Sequence, residues 1–267
     1  MDRVLEAANE PKLWKRVGFL VVAVLFTLVG FFFLEGATEA LEPWMPSDCG
    51  GCSSDTYVPD HYRWLAASHG ALLAILFGGS LIAMLRHPFD KPILLHFYSA
   101  GHLIFLFVFA VTAPKMALAK LFVFVMFILT LVILHVFYHN RRAAVKLAPA
   151  DGYARPLLIL TAIAAVVLVP VAIHAGMQQF QETEEQFRWG EHAAMLLALL
   201  YAGYLASSNR AGSRALAMIV GIVYVYLGAA ALAVPDHPGS WGIIGGIASI
   251  AYGAVYAAVA IKHHQSR

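Results

Sequence analysis

Histidine is the residue type with the most chemical potential in this chain: there are 12 among 267 residues. Imidazole ligates metals and changes its charge close to neutral pH. His69, His174 and His192 fall towards one end of their apolar segments, and Glu191 adjoins His192. Two neutral imidazoles facing each other from separate helices are what a b-type haem needs as axial ligands. Three nitrogens and a carboxylate would equally suit a zinc or iron ion. The plainer reading is that each histidine sits at a membrane surface, bonded to backbone or water. A second set, His96, His102, His135 and His139, lies towards the opposite end. His135 and His139 are four residues apart and share a helix face. A metal or haem held by His102, His135 and His139 is the chemical reading, and interfacial histidines with no cofactor are the simpler one.

The two cysteines, Cys49 and Cys52, stand in a Cys-Gly-Gly-Cys stretch. That spacing permits a disulfide, a thiol redox pair or half of a zinc site. No second cysteine pair exists to complete the zinc site. A structural disulfide is expected, because the loop that holds the pair falls on the oxidising side of the topology below.

The elements that must position these groups are membrane helices. Apolar residues make up 60% of the chain and charged residues 13%. The apolar residues come in blocks of about 20, the length that crosses a ~30 Å hydrocarbon layer as a helix. Inside lipid each block must satisfy its own backbone hydrogen bonds. The pattern predicts an all-α integral membrane protein with about eight spans. They fall near 17–34, 63–85, 92–113, 116–138, 156–174, 190–207, 215–234 and 240–261. The first block has a basic start like a signal peptide, but it is too long for one and no cleavage site follows.

Charge sets the orientation. With the N-terminus in the cytoplasm, 14 of the 18 Lys and Arg fall on the inner side. Eleven of the 16 carboxylates fall on the outer side, including Glu35, Glu39, Glu42, Glu182 and Glu191. Both termini are then cytoplasmic, the Cys49–Cys52 loop is outside, and the plasma membrane is the expected location. The scattered inner basic residues follow from topology and do not argue for nucleic acid. The lipid bilayer is the certain partner on this reading, with other membrane subunits as a further expectation.

The chain reads as two four-helix units, 1–147 and 148–267. Arg63-Trp64 followed by His69 in the second span is matched by Arg188-Trp189 followed by His192 in the sixth. Each Trp is expected at the water–lipid boundary. Duplicated membrane folds often place their site between the halves. Pro170 is expected to kink the fifth span before His174. Lys120 is placed to pair with Glu35 or Glu39, and Gly78, Gly79, Gly101, Gly228, Gly242, Gly245, Gly246 and Gly253 mark close helix packing.

Over Cys49 to His69 this layout is similar to haem A synthase, which also has a cysteine pair ahead of a histidine-bearing second helix. The resemblance implies only that such a layout can hold haem. That family needs Glu three residues before the histidine, where this chain has Ala66, and histidines near the outer ends of the fourth and eighth helices. Here His135 lies towards the inner end of the fourth span, and the eighth has none before His263.

Three functions follow from these patterns. One is a haem- or metal-binding protein of electron transfer or respiratory-complex assembly, with His69 and His192 as ligands and His174 and Glu191 in support. The second is a transporter of a small solute or proton. The third is a structural subunit of a membrane complex. A hydrolase is disfavoured, since neither a His-Glu-x-x-His helix nor a recognisable nucleophile triad is present.

Overall fold

The computed structural model describes residues 13–45, 58–147, 149–150, 152–182 and 186–265. Cys49 and Cys52 lie outside the described residues. Those described are helical throughout, apart from turns and a single bridge between Tyr153 and Ser208. In chain order the helices are α1 Leu13–Phe33, α2 Gly36–Leu41, α3 Asp60–Leu85, α4 Pro92–Thr112, α5 Pro114–Ala119 and α6 Leu121–Phe137. They continue with α7 Arg141–Val145, α8 Arg155–Gln181, α9 Arg188–Ser207, α10 Ser213–Ala233 and α11 Gly242–Gln265.

Six of these helices, α1, α3, α4, α8, α10 and α11, are long and apolar enough to cross a membrane. Their outward side chains are apolar too: Phe33, Val166 and Ile244 are exposed. Such a surface would contact lipid. α6 is apolar but has 17 residues, about 25 Å at 1.5 Å per residue. The expected fourth span is broken at Lys120, whose φ of −108° and ψ of 38° interrupt the helix between α5 and α6. α8 runs on through Pro170 to Gln181, well past the expected end of its span.

α9 is the central helix, packed against α3, α4, α8 and α10. Its run of Gly and Ala lets neighbours come close. α10 and α11 pack closely over their length, and their backbones nearly touch. A Cβ on Gly228 would sit 2.5 Å from the carbonyl oxygen of Gly246, and one on Gly253 would sit 2.6 Å from that of Gly221. Gly101 of α4 similarly faces the Phe77 ring of α3. The small residues flagged in the sequence therefore do pack helices, although Gly242 and Gly245 belong to the start of α11 rather than to that seam.

Candidate functional site

The site begins where α1 ends. Its last turn, Val29–Phe33, widens to π geometry, and the chain reverses at Glu35, which takes the left-handed φ of 59°. α2 then folds back over α3. Two glycines make this possible: a Cβ on Gly36 would be 2.6 Å from the Gly30 carbonyl oxygen, and one on Gly70 would be 2.3 Å from the Ala40 nitrogen. The Tyr226 hydroxyl of α10 bridges both helices, reaching the carbonyls of Ala40 (2.8 Å) and Ala67 (3.2 Å). Arg63 fixes the chain beyond α2 by donating to the carbonyls of Glu42 (2.9 Å) and Met45. Residues 71–78 of α3, directly after His69 and Gly70, form a second π stretch. Such turns often occur at functional sites.

This docking places the Glu39 carboxylate between two cationic partners. One oxygen meets Nδ1 of His69, and the other accepts from Nη1 of Arg188 at 2.5 Å. The same Arg188 nitrogen reaches Glu191 at 3.3 Å. Glu191 in turn lies 3.8 Å from Nε2 of His69. Four ionisable side chains therefore form a closed ring, Glu39–His69–Glu191–Arg188, from α2, α3 and α9. Side-chain exposures are only 4% for Glu39, 12% for His69, 14% for Glu191 and 17% for Arg188. Burial alone would raise the Glu39 carboxyl, but the charges and hydrogen bonds of His69 and Arg188 outweigh it and hold it below the usual range. Glu42, nearby, is pushed upward by burial.

The ring has a proton to place. With Nδ1–H of His69 donating to Glu39, Nε2 faces the Glu191 carboxylate. A neutral His69 would then turn a lone pair towards the carboxylate, an arrangement that one proton on Nε2 or on Glu191 would relieve. With that proton the ring is neutral: Arg188 offsets one carboxylate and the proton the other. Without it the ring carries one uncompensated negative charge, which is costly in a buried setting.

A cavity of about 640 Å³, open to the surface, reaches the ring. Besides the four ring residues it is lined by Glu35 and Lys120. Lys120 shares this cavity with Glu35 and Glu39, but the ion pair expected from the sequence is not formed among the described residues.

His192 follows Glu191 but faces elsewhere. It is fully buried, its Nδ1 lies 2.7 Å from Ser68 Oγ, and its Nε2 has no hydrogen-bond partner among the described residues. The cavity that touches His69 does not reach it. A haem ligated by both rings would need an open slot between α3 and α9, where Ser68 and His192 are in direct contact. Nor, among the described residues, is any group of three His, Cys, Asp or Glu arranged to hold a metal. The physical reason at the ring is Arg188, whose guanidinium already sits between the two carboxylates.

The remaining candidates are separate. His174 is exposed on α8, 3.4 Å from Gln178 and near the Trp189 ring. His102 is buried between the rings of Phe77 and Tyr98, with Nδ1 2.8 Å from the Tyr98 carbonyl. His135 bonds the Leu131 carbonyl at 2.9 Å, and His139 packs against Phe89. Trp64, expected at the water–lipid boundary, is wholly buried against Trp241 and His192, because α9 and the chain before α11 cover it.

No known protein family, curated protein or solved structure matches this chain.

Proposed function

We propose that this chain is a membrane transporter of protons, or of a small solute coupled to them, and that the Glu39–His69–Glu191–Arg188 ring is its proton site. The observation that carries the reading is the His69–Glu191 gap, which requires one proton to remain neutral and opens onto the cavity. Ionisable groups buried among membrane helices usually mark ion or substrate pathways. In this reading α6 and α9 also cross the membrane, giving eight spans, with both termini in the cytoplasm and the cavity on the acidic outer face of a plasma membrane. The ring would then lie where two four-helix halves meet, since α3 and α9 are the second long helices of each.

Proton exchange moves between two states. In one, the gap holds the proton. In the other, the proton has left towards the cavity, and the unbalanced carboxylate attracts a proton or cation in its place. Glu35 at the cavity wall offers a further carboxylate, and Lys120 tunes the local charge. The test is the collapse of an imposed pH gradient in proteoliposomes carrying a pH-sensitive dye. Wild type should dissipate it faster than His69→Gln or Glu191→Gln. Equal rates for all three would remove the ring from the transport path.

A second reading, a b-type haem or transition metal at His69 and His192, is favoured by one observation, the unpartnered Nε2 of His192. It predicts a Soret band or stoichiometric metal in purified protein, lost in His192→Phe. It also requires α3 and α9 to part around Ser68.

A further inference from the structure

α4 and α6 meet through the Phe105–Phe127 and Phe109–Phe124 ring pairs, and towards the opposite end of the molecule they leave a groove of about 930 Å³ between them. Its long walls are apolar: Leu103, Ile128 and Val132 all line it and are exposed. Its end is basic, with Arg141, Arg142 and Lys146 at the rim and no carboxylate in the lining. None of the three cations makes an ion pair among the described residues.

The short helix that carries them is held in place. His96 of α4 donates from Nδ1 to the Ala144 carbonyl at 2.8 Å and accepts from the Tyr201 hydroxyl at 2.7 Å through Nε2. Ala144 is buried, so α7 is seated against α4 while the flanking arginines and Lys146 stay exposed. His96 is thereby a positioning residue for this groove, which accounts for one histidine left unused by the ring.

We infer that this groove binds one anionic phospholipid, with its phosphate at Arg141, Arg142 and Lys146 and its acyl chains along Leu103, Ile128 and Val132. Charge complementarity carries the assignment. Three unpaired cations at the mouth of an apolar groove match a molecule with an anionic head and two apolar chains, and basic pockets between membrane helices take such lipids. A soluble anion would leave the apolar walls uncovered, and a zwitterionic lipid would bring its own cation to an already basic rim. The inference is independent of the proton site.

The test uses the whole protein, delipidated in an uncharged detergent. Dioleoylphosphatidylglycerol, dioleoylphosphatidylcholine and inorganic phosphate are the probes, read by native mass spectrometry and by the unfolding midpoint. One phosphatidylglycerol should remain bound and raise the midpoint. Phosphatidylcholine and inorganic phosphate should do neither at the same concentration. R141Q/R142Q/K146Q should cut the preference for phosphatidylglycerol by roughly ten- to a hundredfold. R214Q/K262Q, which removes two cations elsewhere, should leave it unchanged. Should the triple variant fail to fold, raised salt on the wild type serves instead and should weaken the same preference. Equal retention of the two lipids, a salt-insensitive preference, or a triple variant that binds like wild type would overturn the assignment. Inorganic phosphate matching the lipid's effect would make this a small-anion site and overturn it equally.

Discussion

A single methyl group at Gly70 should dismantle the site. In Gly70→Ala the new Cβ would stand 2.3 Å from the Ala40 nitrogen, 2.6 Å from its Cα and 2.8 Å from the Glu39 carbonyl carbon. All three are backbone atoms, so no side chain can rotate away. α2 would have to lift by roughly 1 Å to restore ordinary contact, and a shift of that size breaks hydrogen bonds at their usual length. Glu39 would then lose both His69 and Arg188. Overpacking costs about 1–3 kcal/mol, and each charge-assisted bond lost costs about 1.5–3 kcal/mol. The helix gains back about 1 kcal/mol from replacing Gly by Ala. The net is a loss of roughly 3–8 kcal/mol, which lowers the unfolding midpoint by on the order of 10 °C or more for a chain of this size. Gly30→Ala is the matched control, since its Cβ would meet nothing within 4 Å. That variant should be as stable as wild type or slightly more so. The assay is thermal unfolding in mild detergent, followed by the proton-flux measurement on both variants. If Gly70→Ala and Gly30→Ala unfold and transport alike, α2 does not seat Glu39 in the way described.

Acid should act through Glu39. Its carboxyl is held below the usual value near 4.5, so the folded protein binds fewer protons there than the unfolded chain. The stabilisation is complete above about pH 4.5 and is lost as pH falls through the depressed value. Glu39→Gln should therefore be less stable than wild type at neutral pH, and the difference should shrink as the medium is acidified below that range. Tyr226→Phe removes the hydroxyl that bridges Ala40 and Ala67, and should cost about 1–2 kcal/mol in thermal unfolding while slowing flux less than His69→Gln does. Gly228→Val would force a Cβ to within 2.5 Å of the Gly246 carbonyl, and size-exclusion chromatography should show the loss of a monodisperse species.

Much of the architecture was legible from the chain because lipid imposes it. Apolar runs mark the long helices, and glycines such as Gly101 and Gly228 mark where they touch. Two halves of the ring could also be read: His69 and Glu191 stand out as polar groups near the ends of apolar segments. Glu39 was missed as a site residue. It sits in a polar stretch after the first apolar block, where a carboxylate reads as a solvated loop residue. Only the fold-back of α2, which depends on Gly36, Gly70 and the reversal at Glu35, buries it. Arg188 stands out in the chain only through its match to Arg63, although its three-residue spacing from Glu191 is a visible hint of an ion pair. The pairing of His69 with His192 rested on similar depth along two helices. Depth says nothing about rotation around each helix, and here His192 turns to Ser68 while Glu191 turns to His69. The break at Lys120 was equally invisible, since the residues on both sides are good helix formers.

If the four buried groups work as one proton site, they must fail together. Proton flux through His69→Gln, Glu191→Gln and the double variant, at matched protein density in proteoliposomes, decides this. Residues acting as a unit show strongly non-additive effects. The double variant should transport no more slowly than either single one, because each alone already breaks the His69–Glu191 pair that shares the proton. Losses that multiply in the double variant would mean that His69 and Glu191 contribute separately and that the proton is not held between them.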